Sequence, residues 1–92
     1  MQVFNVEFSV GDLDNFVDFY VVLRKENGDR RIIIDGAIHS TDLIDDNKSM
    51  NYKYLSKIKT SVGLISYFIV PVSKLGTKGS ASFLGSVVLR GI

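Results

Sequence analysis

The chain has 92 residues, of which 46% are hydrophobic and 23% are charged, and its net charge at pH 7 is +1. This length fits one domain, and the balance of apolar and charged residues excludes an intrinsically disordered chain. The sequence contains no cysteine, so disulfide frameworks, thiolate zinc sites and cysteine nucleophiles are excluded. We therefore expect a single globular domain over residues 1–92.

No segment predicts a membrane anchor or a signal peptide. The longest uncharged stretch, residues 60–73, has an apolar core that is shorter than the ~20 residues of a transmembrane helix. The first residues alternate apolar and polar side chains and lack the basic start of a signal peptide. We expect no membrane partner and a cytoplasmic location, or the host cytoplasm or virion if the protein is viral.

The composition favours β-structure. Valine occurs 11 times and isoleucine 9 times, whereas alanine and glutamate, both good helix formers, occur 2 times each. The first strand is the clearest, because Phe4, Val6, Phe8 and Val10 alternate with polar residues. A period of two is typical of a strand with one face towards water.

The dipeptide Asn27-Gly28 predicts a hairpin between the segments 16–26 and 29–38. Both residues tolerate positive φ and are favoured in a two-residue type I′ turn. In that register Leu23 opposes Ile32, and the core lies on the face shared by Phe19, Val21, Leu23, Ile32, Ile34 and Gly36. The other face carries Tyr20, Val22, Arg24, Arg31, Ile33 and Asp35. It is only half polar, and we expect another part of the protein to cover it.

The segment 40–60 fits both a helix and a strand. As a helix it would begin at Ser40 or Thr41, with aspartates near its positive N-terminal end and lysines near its C-terminal end. Within the same segment, residues 50–58 alternate with the period of a strand. We favour a helix in 40–60 that could break at 45–49, with a strand over 49–59 as the alternative.

The last third of the chain returns to β-structure. Residues 64–73 are rich in branched and aromatic side chains, residues 75–79 predict a hairpin loop, and residues 80–90 predict a last strand. The element order β-β-β-(α)-β-β is that of an OB-type barrel. We therefore expect a mainly β domain (α+β by count), a small antiparallel five-stranded barrel, with a small β-sandwich as the alternative.

The charges are distributed unevenly along the chain. The first 46 residues hold all ten acidic residues and four bases, a net charge of −6, whereas residues 47–92 hold seven bases and no acid, a net charge of +7. A basic region is typical of proteins that bind phosphates. The basic half thus predicts a surface for nucleic acid or for the acidic half of another copy.

Tyrosines alternate with lysines in the basic half, as in proteins that bind single-stranded nucleic acid. Lysines neutralise phosphates, and tyrosine rings stack on bases with about 1–3 kcal/mol per base. Two further basic groups lie beside Asn27-Gly28 and in the predicted loop at 75–79. The candidate nucleic-acid interface is Tyr52, Tyr54, Lys53, Lys57, Lys59, Lys74, Lys78, Arg24 and Arg31.

The sequence offers little support for catalysis or for a resident metal. His39 is the only histidine, and nothing near it predicts a nucleophile, an orienting acid and an oxyanion hole together. Residues 45–49 have the spacing of the start of a calcium loop, but Met50 stands where glycine is needed and Ser56 where glutamate is needed. We expect no enzyme activity, no cofactor and no metal.

Several predicted strands are apolar on both faces, which predicts self-association. Large apolar residues are consecutive at 21–23, 32–34, 69–70 and 87–89, and a strand must place some of them on its outer face. A domain of this size has too little chain to cover both faces of a sheet, so we expect a homo-oligomer or a protein partner.

Two functions remain open. The first is a non-enzymatic protein that binds single-stranded nucleic acid, of viral or phage type; exposed Tyr52 and Tyr54 beside the lysines would favour it. The alternative is a virus- or phage-type assembly or inhibitor protein that acts by protein–protein contacts through apolar strand faces. An apolar patch around Tyr20, Val22 and Ile33 would favour that alternative.

Overall fold

The structure, a computed structural model, describes residues 2–10, 16–27, 30–41, 50–58 and 63–89. These residues form six strands and no helix, which confirms a mainly β protein. None of them belongs to a helix that could cross a membrane. The strands are β1 (Gln2–Val10), β2 (Val17–Glu26), β3 (Ile33–His39), β4 (Met50–Ile58), β5 (Gly63–Ser73) and β6 (Ser82–Leu89).

The six strands form two antiparallel sheets that share one core. β1 and β4 form sheet A, and the other strands form sheet B in the order β3-β2-β5-β6. Each sheet turns one face, its inner face, towards the core, where apolar side chains leave water. Phe8 and Tyr52 from sheet A contact Tyr20 from sheet B, with ring centroids 5.2 to 5.7 Å apart. This three-ring cluster joins the two sheets.

The helix that we predicted within 40–60 is wrong for residues 50–58, which form β4. This strand pairs with β1 from Gln2↔Ile58 to Val10↔Met50 without a bulge. Its period of two places Tyr52, Ser56 and Ile58 in the core, so side-chain burial outweighs the capping signals. Residues 42–49, which would form the N-terminal part of that helix, lie outside the described residues.

The dipeptide Asn27-Gly28 correctly predicted a positive φ at Asn27, but the hairpin register that we derived from it is wrong. Asn27 has a positive φ of 54°, yet Leu23 opposes Ile34, and a bulge at Asp35 follows between β2 and β3. The backbone N–H of Asn27 donates to the carbonyl of Leu64 (2.7 Å), and its Oδ1 accepts from the N–H of Leu64 (2.9 Å). Asn27 thus extends the pairing of β2 with β5, and β3 begins only at Ile33.

The core lies on the face of β2 opposite to the predicted one. Tyr20 and Val22 are buried, whereas Ile34, which we assigned to the core, is 73% exposed. Both faces of this hairpin are rich in apolar residues, so its pattern alone does not identify the inner one. The contacts of Tyr20 with Phe8 and Tyr52 on sheet A determine it.

The five-stranded barrel of OB type is not confirmed. There are six strands among the described residues, because β4 replaces the predicted helix, and their pairing does not close into a barrel. β1 is hydrogen-bonded only to β4, and β6 only to β5, within the described strands. The architecture is that of two packed sheets, closer to the small β-sandwich that we considered as the alternative.

Candidate functional site

β4 places the predicted base-stacking and phosphate-binding residues on opposite faces. Tyr52 is 1% exposed and stacks on Phe8 with ring centroids 5.4 Å apart, whereas Lys53 and Lys57 are exposed. Side chains alternate along a strand, so neighbouring residues cannot share a surface. This is a correction to the sequence-based interface: the ring of Tyr52 belongs to the core and is not available to a base.

Tyr54 is also turned inward and is half-buried. Its hydroxyl donates to the backbone carbonyl of Asp35 (2.8 Å), as the hydroxyl of Tyr52 does to the carbonyl of Ser40 (2.7 Å). Gly36 makes room for this contact, because a Cβ there would collide with the Tyr54 hydroxyl. The two tyrosine hydroxyls therefore link sheet A to the β3 edge of sheet B by hydrogen bonds, and the rings do not form a surface on which bases could stack.

Arg24 points towards the core and binds acidic side chains. It donates from Nη1 to Oδ1 of Asp35, and its Nε lies 3.4 Å from Oε1 of Glu26. The side chains of Arg24 and Asp35 are 17% and 2% exposed, and Oδ2 of Asp35 has no partner among the described residues. Arg24 is thus engaged in neutralising a buried carboxylate, which corrects its assignment to a phosphate-binding surface.

Two further side chains complete this inner polar cluster, which we define as Arg24, Asp35, Tyr54, Ser56 and Tyr67. Ser56 is fully buried, and its Oγ lies 2.7 Å from the hydroxyl of Tyr67. Burial, helped by the nearby Asp35, raises the pKa of Tyr54 to about 12. Burial also raises the pKa of Tyr67, although its hydrogen bond with Ser56 opposes the shift. Both phenols are neutral in the folded protein near neutral pH.

The folded protein is expected to lose stability between pH 10 and pH 12. A tyrosine in the unfolded chain ionises near pH 10, whereas Tyr54 in the folded chain ionises at about 12. The unfolded state therefore releases its proton first as the pH rises, and the stabilisation present below pH 10 disappears by pH 12. An ultraviolet titration of phenolate should show a late transition whose amplitude falls in Tyr54→Phe, while Tyr67 still ionises late. Ionisation of all 4 tyrosines together near pH 10 in the folded protein would contradict this.

The remaining predicted interface residues lie on separate elements. Lys74 and Lys78 are exposed in the loop between β5 and β6, and Arg31 is exposed just before β3. Lys53 and Lys57 are on the outer face of sheet A. Lys59 lies outside the described residues. The structure thus keeps several of these bases exposed, but it does not gather them with the tyrosines.

The described residues contain no cluster of three or more histidine, cysteine or acidic side chains that could hold a metal. His39 lies on the outer face of sheet B, where its ring is 6.2 Å from that of Phe19. The acidic segment 42–46 lies outside the described residues.

The most prominent feature of the surface is a row of apolar side chains across the outer face of sheet B. The pairing places Ile34 opposite Leu23, Leu23 opposite Phe68, and Phe68 opposite Phe83. One large apolar residue therefore comes from each of the four strands. The end members, Ile34 and Phe83, are 73% and 61% exposed, and the rings of Phe68 and Phe83 lie 5.5 Å apart. We call these four residues the outer row.

Further apolar side chains extend the outer row along the strands. Val21 opposes Val70 on one side of it. On the other side, beyond the polar row of Lys25, Ser66 and Ser86, Leu64 opposes Val88, with exposures of 44% and 63%. We call the whole set the outer apolar face: Phe19, Val21, Leu23, Ile34, Leu64, Phe68, Val70, Phe83 and Val88.

The sequence predicted an apolar patch but on the opposite face. It was expected around Tyr20, Val22 and Ile33, of which Tyr20 and Val22 are buried in the core. The runs of consecutive apolar residues at 21–23 and 87–89 correctly predicted a sheet with apolar side chains on both faces. They do not indicate which of its faces is exposed.

Comparison of the chain with protein-family models, with curated proteins and with solved structures gave no significant match. The candidate site therefore rests on the geometry of the chain itself.

Proposed function

We propose that this protein is a non-enzymatic assembly protein that binds a second copy of itself through the outer apolar face of sheet B. The observation that carries the proposal is the outer row, which crosses all four strands and whose ends, Ile34 and Phe83, are largely exposed. Soluble monomers rarely expose so many large apolar side chains on one face of a sheet, and such a surface usually marks an interface.

The size of the face suits a small stable interface. Four strands about 4.8 Å apart, each with about eight residues that rise ~3.3 Å, give a projected area of roughly 500 Å². Smaller stable interfaces bury about 600 Å² of accessible surface per partner, and the accessible area of a face with protruding side chains exceeds its projection. A second copy therefore offers a partner of matching size.

The charges of this face also suit a second copy. Lys25 and His39 are the ionisable residues at its paired outward-facing positions. These positions therefore carry few charges, which suits an isologous dimer that places the same apolar patch on both sides.

Sedimentation equilibrium of the full chain tests the proposal. The wild type should be dimeric or larger at micromolar concentration, and Ile34→Lys or Phe83→Lys should weaken association at least tenfold, because each places a charge in an apolar contact. Leu55→Lys is the matched control, since Leu55 is 50% exposed on the outer face of sheet A. A monomeric wild type, or equal effects of Leu55→Lys and Phe83→Lys, would contradict the proposal.

Binding of single-stranded nucleic acid is the second candidate function. Exposed lysines support this candidate without the tyrosines, because Lys53 and Lys57 share the outer face of β4. A labelled single-stranded oligonucleotide, titrated at low and high salt, should then bind with an affinity that falls steeply with salt. The double variant Lys53→Gln and Lys57→Gln should reduce that salt dependence. Absence of binding at low salt would remove this candidate and leave self-assembly.

A further inference from the structure

The outward-facing residues of sheet B form rows that run across its strands. The outer row holds one large apolar residue from each of the four strands. Nearer to the start of β2, Val21 and Val70 form a second apolar row. On the other side lies the polar row, in which Lys25 pairs with Ser66 and Ser66 pairs with Ser86. Along the strands, the rows therefore follow one another as apolar, apolar and polar.

The polar row presents one ammonium group and two hydroxyls. The Oγ atoms of Ser66 and Ser86 lie 2.9 Å apart, so one hydroxyl donates to the other. A hydroxyl oxygen has two lone pairs, and the ammonium group of Lys25 has three donors. Lys25 is half-buried beside Ser66. A partner that covers this row has to supply acceptors to Lys25, because a buried ammonium group without acceptors is costly.

Facing sheets usually keep their strands aligned within about 30°, which leaves two orientations of the two-fold axis between two copies of sheet B. One axis runs across the strands, places each strand opposite the same strand of the second copy and reverses the order of the rows. Centred on the outer row, it buries Lys25 against Val21 of the second copy, which offers no acceptor. Centred on the polar row, it brings the two Lys25 side chains together, and like charges repel each other.

The other axis runs parallel to the strands, between β2 and β5. It preserves the order of the rows, so that apolar rows meet apolar rows and the polar row meets itself. It also places β2 opposite β5 and β3 opposite β6 of the second copy. Lys25 then faces Ser66 of the second copy, whose hydroxyl can accept a hydrogen bond. In the outer row, Ile34 faces Phe83 of the second copy at both edges of the contact.

We propose that two copies pack their outer apolar faces about a two-fold axis parallel to the strands, and that Lys25 selects this arrangement by donating to Ser66 of the second copy. Fixing the register is the best-attested role of a polar group within an apolar contact. The inference rests on the proposed self-assembly and adds which residues of the two copies meet. Because this axis covers all four strands of both copies, the assembly closes as a dimer and does not extend into a filament.

Cysteine variants test the arrangement, because the chain contains no cysteine of its own. The double variant Ile34→Cys, Phe83→Cys should form a covalent dimer on mild oxidation, linked from position 34 of one copy to position 83 of the other. Disulfides that join two facing sheets occur in the immunoglobulin fold. Within one copy the two positions lie on opposite edges of sheet B, three strand spacings or ~14 Å apart, which is too far for a disulfide. Mass spectrometry of tryptic peptides identifies the linked positions.

Ser66→Val provides a second measurement, in which the two axes predict opposite signs. In the proposed dimer it removes the acceptor of Lys25 from both copies and should weaken association about tenfold in sedimentation equilibrium. With the axis across the strands and centred on the outer row, position 66 faces Val70 of the second copy, so valine should strengthen association. Ser80→Val, in the exposed β5–β6 loop, is the matched control and should leave association unchanged.

Three results would overturn the inference and leave self-assembly intact. The first is a disulfide dimer of the single variant Ile34→Cys, and the second is stronger association of Ser66→Val. The third needs no cysteine: nuclear Overhauser contacts in the wild type between the Ile34 side chains of two copies, in place of contacts from Ile34 to Phe83. A wild type that stays monomeric in sedimentation equilibrium would instead overturn the proposed function and this inference together.

Discussion

Replacing Arg24 by methionine is expected to lower the free energy of unfolding by about 3–5 kcal/mol, because it leaves the carboxylate of Asp35 buried without its counter-charge. The Asp35 side chain is 2% exposed, its Oδ1 accepts from Arg24, and its Oδ2 has no hydrogen-bond partner among the described residues. The loss should be visible as a lower midpoint in urea unfolding followed by circular dichroism.

Two further variants identify the cause of that loss. Arg30→Met removes an exposed guanidinium outside the strands and should change stability by less than about 0.5 kcal/mol. Asp35→Asn in the background of Arg24→Met removes the uncompensated charge and should recover part of the stability. If Arg24→Met is as stable as Arg30→Met, the inner polar cluster does not stabilise the fold.

Tyr52→Ala is expected to cost about 3–5 kcal/mol, the usual range for truncating a large buried aromatic side chain. Its ring contacts Phe8 and Tyr20 in the cluster that joins the sheets. Tyr52→Phe keeps the ring and loses only the hydrogen bond to Ser40, so it should cost about 1 kcal/mol. Urea unfolding of both variants measures the two contributions separately.

The neighbouring residue provides the control for Tyr52. Lys53→Ala lies on the same strand but on its exposed face, so it should change stability by less than about 0.5 kcal/mol. Equal stabilities of Tyr52→Ala and Lys53→Ala would mean that Tyr52 is not in the core. The base-stacking role predicted from the sequence would then regain its support.

The sequence predicted the elements whose signals are local. The alternation along β1 and the positive φ of Asn27 both appear in the structure. β4 shows where local signals compete: the aspartates and lysines of 40–60 resemble helix caps, but pairing with β1 buries Tyr52 and Ile58. That pairing joins residues 40 to 56 positions apart along the chain, from Val10↔Met50 to Gln2↔Ile58, and no pattern within one segment contains it.

The dependence on pairing between distant segments also limits what the sequence could predict of the candidate site. Apolar runs at 21–23 and 87–89 predicted a sheet with two apolar faces, which the structure contains. The outer row requires the strand order β3-β2-β5-β6, which no pattern within one strand contains. Arg24 and Asp35 were predicted to share a face, but only the burial of that face turns them into an internal ion pair.

The most direct test of self-assembly is an isotope-filtered nuclear Overhauser experiment on a mixture of labelled and unlabelled protein. It detects only contacts between protons on different copies. We expect contacts from the Ile34 and Leu23 methyl groups of one copy to the Phe68 and Phe83 rings of another, because the outer apolar face is the proposed interface. Contacts confined to Val3 and Leu55 on sheet A, or no contacts between copies at micromolar concentration or above, would contradict the proposal.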